Sequence, residues 1–281
     1  MNIYSHPKIS VVTPSYNQGQ FIEDAIISVL DQGYPEFEHI IIDNCSTDNT
    51  IEVLKKYSHL IWISEPDRGQ SHGLNKGFQL ARGEWILWLN ADDYLMPGVM
   101  GIFANATAKH PLADFFYGHV RFVDAHKKII KTVYHIPYSY ALIFYRFFIP
   151  PSTGSLFRAT LLKEKPLADD YHYGMDVEWF LRCGKGLRAI LLDHVISSFR
   201  VSGVNKTSQH ITSNILLPRQ MAERIAYQEK HIFSRWPALP RKGKEVFYSI
   251  GRYIYRIVYY SRKLRYADRY LKQRFEKRRS R

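Results

Sequence analysis

The apolar run Trp85-Ile86-Leu87-Trp88-Leu89 leads directly into Asn90-Ala91-Asp92-Asp93. Such a run fits a buried strand. A buried strand that ends in adjacent carboxylates delivers negative charge to one edge of a sheet. Carboxylates that close repel each other, and one of them is forced to stay protonated unless something neutralises the pair. A hard divalent cation with oxygen ligands is the natural counter-charge, and such a cation is often shared with a phosphate. These residue types therefore point to phosphate chemistry.

Other polar clusters stand at the ends of other apolar runs. Ile9-Ser10-Val11-Val12 ends in Thr13-Pro14-Ser15, and His39-Ile40-Ile41-Ile42 ends in Asp43-Asn44-Cys45-Ser46. Leu60-Ile61-Trp62-Ile63 ends in Ser64-Glu65-Pro66-Asp67-Arg68-Gly69. Between these strands, helical apolar spacing is expected over Phe21 to Leu30, around Ile51 to Leu54, and over Gln70 to Ala81. Short apolar strands alternating with helices predict a parallel sheet covered on both faces. Ligands of such sheets bind beyond the carboxyl ends of the strands, where the four clusters would meet. No Gly-x-Gly-x-x-Gly follows the first strand and no Gly-Lys-Ser loop is present, which argues against dinucleotide and P-loop chemistry.

The second half is less regular. Phe115 to Val123 and Lys128 to Tyr134 read as a hairpin, and Tyr140 to Phe148 as an aromatic helix or lip. Ser152 to Phe157 reads as a strand, Asp176 to Cys183 as a short helix, Arg188 to Leu192 as a strand, and Val201 to Gln209 as a looser segment. The chain has 281 residues, enough for one large domain with an appendage. Its net charge is +13, and residues 241–281 hold 15 Lys and Arg against 3 Asp and Glu, which is +12 of that total. The tail thus separates from a nearly neutral body. Cys45 and Cys183 are expected to be reduced structural thiols, no secretory leader is expected, and no charge-free stretch reaches the roughly 18 residues that span a membrane.

Five segments in order carry a resemblance. They are Val12-Thr13-Pro14-Ser15-Tyr16-Asn17, Ile42-Asp43-Asn44-Cys45-Ser46-Thr47-Asp48, Glu65-Pro66-Asp67-Arg68-Gly69, Asn75-Lys76-Gly77 and Asn90-Ala91-Asp92-Asp93. Over about residues 8–210 the chain resembles the family-2 glycosyltransferases, inverting enzymes of the GT-A fold. The resemblance implies an α/β fold with a Rossmann-type, mostly parallel sheet flanked by helices, to which the composition adds a C-terminal basic helical tail. Its expected division is a GT-A domain over 1–210, with a nucleotide-sugar half at 8–110 and an acceptor half at 111–210, and a helical extension over 211–281.

The resemblance also implies roles. Thr13, Pro14 and Ser15 would line the base and ribose, and Asp43 would accept a hydrogen bond from the base. Asp67 matches an acid near the base, and Arg68 is a nucleotide contact or a surface cation. Asn90-Ala91-Asp92 occupies the family's Asp-x-Asp position, with Asn90 departing from it. Asp92 is the expected ligand of a divalent metal, Mn or Mg, and Asp93 a further ligand or a support. Asp176, in Tyr173-Gly174-Met175-Asp176-Val177-Glu178-Trp179, matches the base, while Glu178 is expected to pair structurally. Pro150-Pro151-Ser152-Thr153-Gly154 matches the acceptor side and Phe199-Arg200-Val201-Ser202 a late arginine motif.

The implied reaction moves a sugar from a nucleoside-diphosphate sugar, a UDP-sugar, to a saccharide or lipid-linked saccharide in surface polysaccharide synthesis. A degenerate nucleotide-sugar binding protein and a sugar nucleotidyltransferase are the alternatives. From Phe247 onward, Ile250, Ile254, Ile257, Leu264, Leu271 and Phe275 recur at helical spacing among basic and Tyr residues. This suits an interfacial helix on an anionic membrane, implying a cytoplasmic enzyme held peripherally at the inner membrane face. A helix docked on the body is the alternative. Nucleic acid is not an expected partner, since no recognition fold accompanies the charge.

Overall fold

The computed structural model describes residues 8–146, 149–203, 218–235 and 237–279. Strands β1 (Ile9–Ser15), β2 (Phe37–Asp43), β3 (Leu60–Ser64) and β4 (Trp85–Trp88) alternate with helices α1 (Ile22–Leu30), α2 (Thr50–Leu54) and α3 (Gln70–Leu80). The strands pair in parallel, as the apolar runs predicted, and their order is β3-β2-β1-β4. Register aligns Ser15 with Asp43 and Asp43 with Ser64, so these strand ends share one edge.

Strand alternation sorts the core into two layers. Trp85, Leu87 and Leu89 pack with Ala25, Val29, Val99 and Phe103 on one face. Ile86 and Trp88 pack with Leu74, Phe78, Trp179 and Phe180 on the other. This is the two-residue period of a strand buried on both sides. Helix α3 lies close on the sheet because position 77 is glycine: a Cβ there would meet Val12 Cγ1 at 2.4 Å.

Beyond β4 the sheet becomes mixed. It continues through β8 (Ser155–Arg158), β6 (Phe115–Asp124), β9 (Ala189–Val201) and β5 (Tyr94–Leu95), with β7 (Ile129–Val133) on β6. Strand β8 runs antiparallel to β4 and β6, whereas β9 runs parallel to β6. Helices α4 (Val99–Lys109), α5 (Tyr140–Arg146), α6 (Ala159–Glu164) and α7 (Met175–Cys183) flank this half. The strand expected at 188–192 proves to be 13 residues long, because its second part pairs with β5 as well as β6. Residues 204–209 of the expected loose segment lie outside the described residues.

The basic extension contains α8 (Pro218–His231), a 3-10 turn at Phe233–Arg235, and α9 (Arg241–Arg279). Its composition differs from that of the body, yet Tyr227, Ile232, Phe233 and Tyr248 belong to the same core layer as Ile143, Met175 and Trp179. Helix α5 is buried beneath α9, with Leu142 and Ile143 fully covered, so its described residues form a core helix rather than a lip. Tyr145 stacks on Tyr255 at 4.8 Å and on Tyr248 at 5.9 Å. The opposite face of α9 is apolar and exposed: Val246, Phe247, Ile250, Tyr253, Ile254, Ile257, Tyr260 and Leu264 all lie open to solvent. Among the described residues, no helix is long and apolar enough to cross a membrane.

One buried pair in the sheet has a consequence for stability. Thr13 shares the face of Val11, and its Oγ1 lies 3.0 Å from Nε2 of fully buried His39. Burial first, and the neighbouring His59 second, lower the His39 pKa to about 3. Between roughly pH 6.5 and 3 the unfolded chain binds a proton there that the folded chain does not, so stability falls as pH falls through that window. In chemical denaturation, His39→Gln should lose about 2 kcal/mol less than the parent between pH 7 and pH 5. Equal losses in the two proteins would show that this imidazole titrates normally.

Candidate active site

A cleft of about 550 Å³ opens at the carboxyl edge of the parallel strands. Pro14, Ser15 and Tyr16 line it from the end of β1, Asn44 from β2, Asp67 and Gln70 from the β3–α3 connection, and Asn90, Ala91 and Asp92 from the end of β4. His172 and Phe199 close it from the second half. The four polar strand ends do converge, and the irregular half adds two rings: Phe199, from the late arginine motif, and His172, which no sequence signal singled out.

The tetrad splits by direction. Asp92 lines the cleft, whereas Asp93 is fully buried behind it. Asp93 Oδ1 accepts the Arg200 backbone N–H at 2.9 Å, and Oδ2 accepts Asn90 Nδ2–H at 3.0 Å. Burial, and secondarily the charge of Asp92, raise the Asp93 pKa well above the ordinary carboxylate range. Its oxygens are engaged by the protein, so the geometry gives it a supporting position. Asp92 is the carboxylate of the tetrad that lines the cleft.

Asn90 explains its own departure from an acid. Trp88 Nε1–H can only donate, and it meets Asn90 Oδ1 at 3.0 Å. Gln70 Nε2–H donates to the same oxygen at 3.2 Å. The amide nitrogen is thereby turned to Asp93. An aspartate here would set a second carboxylate against Asp93, whereas the amide supplies a donor. Arg200, 1% exposed, locks this arrangement from β9. Its Nε donates to Asp92 O at 2.9 Å, Nη1 to Ala125 O at 2.7 Å and Nη2 to Asp24 Oδ2 at 2.6 Å, and the guanidinium lies over the Phe21 ring. The arginine of the late motif thus faces the interior.

The expected base and ribose residues divide similarly. Thr13 meets His39 and does not line the cleft, because it sits two residues short of the strand end. Ser15 lines the cleft, and among the described residues its buried Oγ has no hydrogen-bond partner. Asp43 is buried at the edge and accepts Ser46 N–H at 2.9 Å, Ser46 Oγ–H at 2.5 Å and Ser64 Oγ–H at 2.7 Å. It fixes the turn that projects Asn44. Asn44 Oδ1 in turn accepts the Asp67 backbone N–H at 2.7 Å. Arg68 is mostly exposed and pairs with Asp169, away from the cleft lining, which favours its reading as a surface cation.

Asp176 sits in the first turn of α7. Its Oδ1 accepts Val177 N–H at 2.8 Å, and Ser152 Oγ–H reaches its Oδ2 at 3.5 Å. The adjacent Thr153 hydroxyl bonds Asp93 and lies 3.4 Å from Asn90 N. Ser152 and Thr153 therefore link Asp176 to the tetrad. Burial raises the Asp176 pKa above its ordinary value, which strengthens it as a proton acceptor. Glu178, fully buried, instead pairs with Arg182 Nε at 2.9 Å and lies 3.0 Å from His231 Nε2, as its structural reading expected.

The donor set at the cleft is hard oxygen. Among the described residues no group of three His, Cys, Asp or Glu side chains converges. Magnesium-like ions need only one or two carboxylates when substrate phosphates complete the shell, and Asp92 fits that pattern.

Comparison with known proteins agrees with this geometry. The family model described as Glycosyl transferase family 2 matches residues 10–164. The putative teichuronic acid biosynthesis glycosyltransferase TuaG of Bacillus subtilis is 41% identical over 93 residues, 31% of this chain and 36% of that protein. The chain thus matches about a third of that relative's length. Among solved structures, residues 1–349 of S. aureus TarS in complex with UDP-GlcNAc superpose with TM-score 0.61 at 19% identity, covering 84% of this chain and 69% of that one. The mannosyltransferase PcManGT of Pyrobaculum calidifontis, in complex with GDP-Man and Mn²⁺, superposes with TM-score 0.56 at 20% identity, covering 79% of this chain and 65% of that one. These likenesses extend to the fold. The family model spans more than half of the chain, from β1 to the end of α6, and the chain belongs to glycosyl transferase family 2.

Proposed function

We propose that the chain is an inverting glycosyltransferase that moves a sugar from a UDP-sugar to a saccharide or lipid-linked saccharide of a surface polysaccharide. The observation that carries this reading is that Asp92 lines a polar cleft at the sheet edge while Asp176, a carboxylate of raised pKa outside that lining, is linked to the same tetrad through Ser152 and Thr153. TarS bound to UDP-GlcNAc and TuaG, named for teichuronic acid biosynthesis, support the donor class and the polymer class.

In this mechanism Pro14, Ser15, Asn44 and Asp67 hold the nucleoside, with Ser15 Oγ offering an uncommitted donor and acceptor. Asp43 acts on the base through its remaining acceptor capacity while it holds the Asn44 turn. Asp92 would hold a divalent cation, Mn or Mg, which offsets charge developing on the departing diphosphate; PcManGT, described with Mn²⁺, supports the metal. The acceptor hydroxyl attacks the anomeric carbon from the face opposite the diphosphate. Asp176 takes the hydroxyl proton as the new C–O bond forms. The old C–O bond breaks, and its electron pair leaves on the diphosphate oxygen. Asn90, Asp93 and Arg200 keep Asp92 in place.

The exposed stripe of α9 would lie on an anionic membrane. It is contiguous and apolar, and the surrounding segment carries +12. A second copy laid along it would bring two such charges together, whereas each Lys or Arg near an anionic surface contributes about 1 kcal/mol.

Three outcomes are expected. In a thermal-shift panel of UDP, GDP, CDP and TDP with Mn²⁺, Mg²⁺ or chelator, UDP with metal should raise the melting temperature, and Asp92→Asn should abolish that shift. A shift that chelator leaves intact would remove the metal from the site. Asp176→Asn should keep the UDP shift while lowering turnover roughly 100-fold or more, and the acid limb of the parent pH profile should lie above the ordinary aspartate range. Unchanged turnover would take Asp176 out of the mechanism. The full chain should co-sediment with vesicles containing phosphatidylglycerol and not with pure phosphatidylcholine, and Ile250→Glu with Ile257→Glu should release it. Binding that survives both substitutions would leave the stripe without this role.

A further inference from the structure

The segment that carries Asp176 is held from outside the matched family region. Between α6 and α7 the chain is irregular, and Gly174 enters α7 at φ 63°. Glu223, on α8, is nearly buried and points its carboxylate at this segment. Its Oε1 accepts the His172 backbone N–H at 3.0 Å, and its Oε2 accepts the Tyr173 backbone N–H at 2.6 Å. One side chain thus takes both donors of two successive peptides. Tyr227, one turn further along α8, covers Gly174: a Cβ added there would meet its ring at 3.4 Å. The Tyr171 and Tyr227 rings lie 6.1 Å apart, and His231 approaches Glu178 at the far end of the same helix. Three side chains at helical spacing on α8, Glu223, Tyr227 and His231, therefore address residues 171–178.

We infer that Glu223 is a positioning residue for the reaction, acting through the segment His172–Asp176. This inference rests on the reading of Asp176 as the base. The two clamped peptides lie three and four positions before Asp176, and His172 itself lines the cleft. Fixing them sets the entry into α7, and with it the direction of the Asp176 carboxylate toward Ser152. A carboxylate suits the task better than an amide because it accepts at both oxygens; a glutamine would present N–H to one of the two N–H groups. Misplacing a reacting group by about 1 Å can cost on the order of 100-fold in rate.

The test uses the full chain and Glu223→Gln, with Glu223→Ala and Asp176→Asn beside it. The first reading is amide hydrogen exchange. Exchange at His172 and Tyr173 should quicken by about 10-fold or more in Glu223→Gln, while amides of β1 and β2 stay as in the parent. The second is UDP release, with water as acceptor, from whichever of UDP-glucose, UDP-galactose or UDP-N-acetylglucosamine the parent cleaves fastest. It should fall by about 10-fold or more in Glu223→Gln and further in Glu223→Ala, with the UDP-dependent thermal shift retained. Unchanged exchange at the two amides overturns the clamp. Faster exchange with unchanged release overturns its part in the reaction. Parallel loss of the UDP shift and of melting temperature makes Glu223 a general structural residue and also overturns it. A fully active Asp176→Asn would instead fault the assignment of the base, and the exchange reading on Glu223 would stand apart from that failure.

Discussion

The site depends on how a buried carboxylate, Asp93, is satisfied. It lies fully covered directly behind the residue that faces the cleft, and it can stay there only because its oxygens are met by the Asn90 amide, the Thr153 hydroxyl and the Arg200 backbone. An unsatisfied polar group in that place would cost about 1–3 kcal/mol. Each partner comes from a different element: the end of β4, the loop before β8, and β9. Satisfying Asp93 therefore draws three parts of the sheet together, and Asp92 is displayed as the outward side of that junction. The Arg200 guanidinium extends the junction to Asp24 on α1 and Ala125 in the β6–β7 hairpin.

This network also accounts for the balance of charge at the edge. Asp92 faces the cleft while Asp93 is pushed toward its neutral form by burial. An amide at position 90 fits that arrangement, since Trp88 fixes its oxygen and leaves its nitrogen for Asp93. What reads as a departure from an acidic pattern is a donor required by the neighbour three residues on.

The parallel half was legible because its signals are local. Apolar runs such as Ile9–Val12 and Trp85–Leu89 are buried on both faces, and their polar ends meet at one edge whatever the rest of the chain does. Depth along the strand was harder to read: Thr13 and Ser15 stand two apart in one motif, yet Thr13 meets His39 inside the sheet and only Ser15, at the strand end, reaches the cleft. Helices α4 and α6 and the length of β9 were missed because long-range partners stabilise them. Strand β5 is two residues long and exists through β9, a hundred residues away. The composition break before the tail was real as charge, but it does not mark a break in packing. Tyr227, Phe233 and Tyr248 complete a core layer begun by β1 and β2. Glu223 carried no signal in the sequence, since an acid on an amphipathic helix is ordinary until its two acceptors are seen.

The placement of β9 has a consequence for the order in which the molecule is made. As the chain is synthesised, β1 to β4 and their helices are complete well before residue 200 exists. That half can pair its strands, but Asp93 then lacks the N–H that later meets it, and Tyr94 and Leu95 have no strand to join. The carboxyl edge of the nascent sheet is thus the last part to settle. Contacts separated by 107 positions form slowly compared with local ones, so the nascent chain passes through an interval in which its backbone layers are built while the cleft is still unformed.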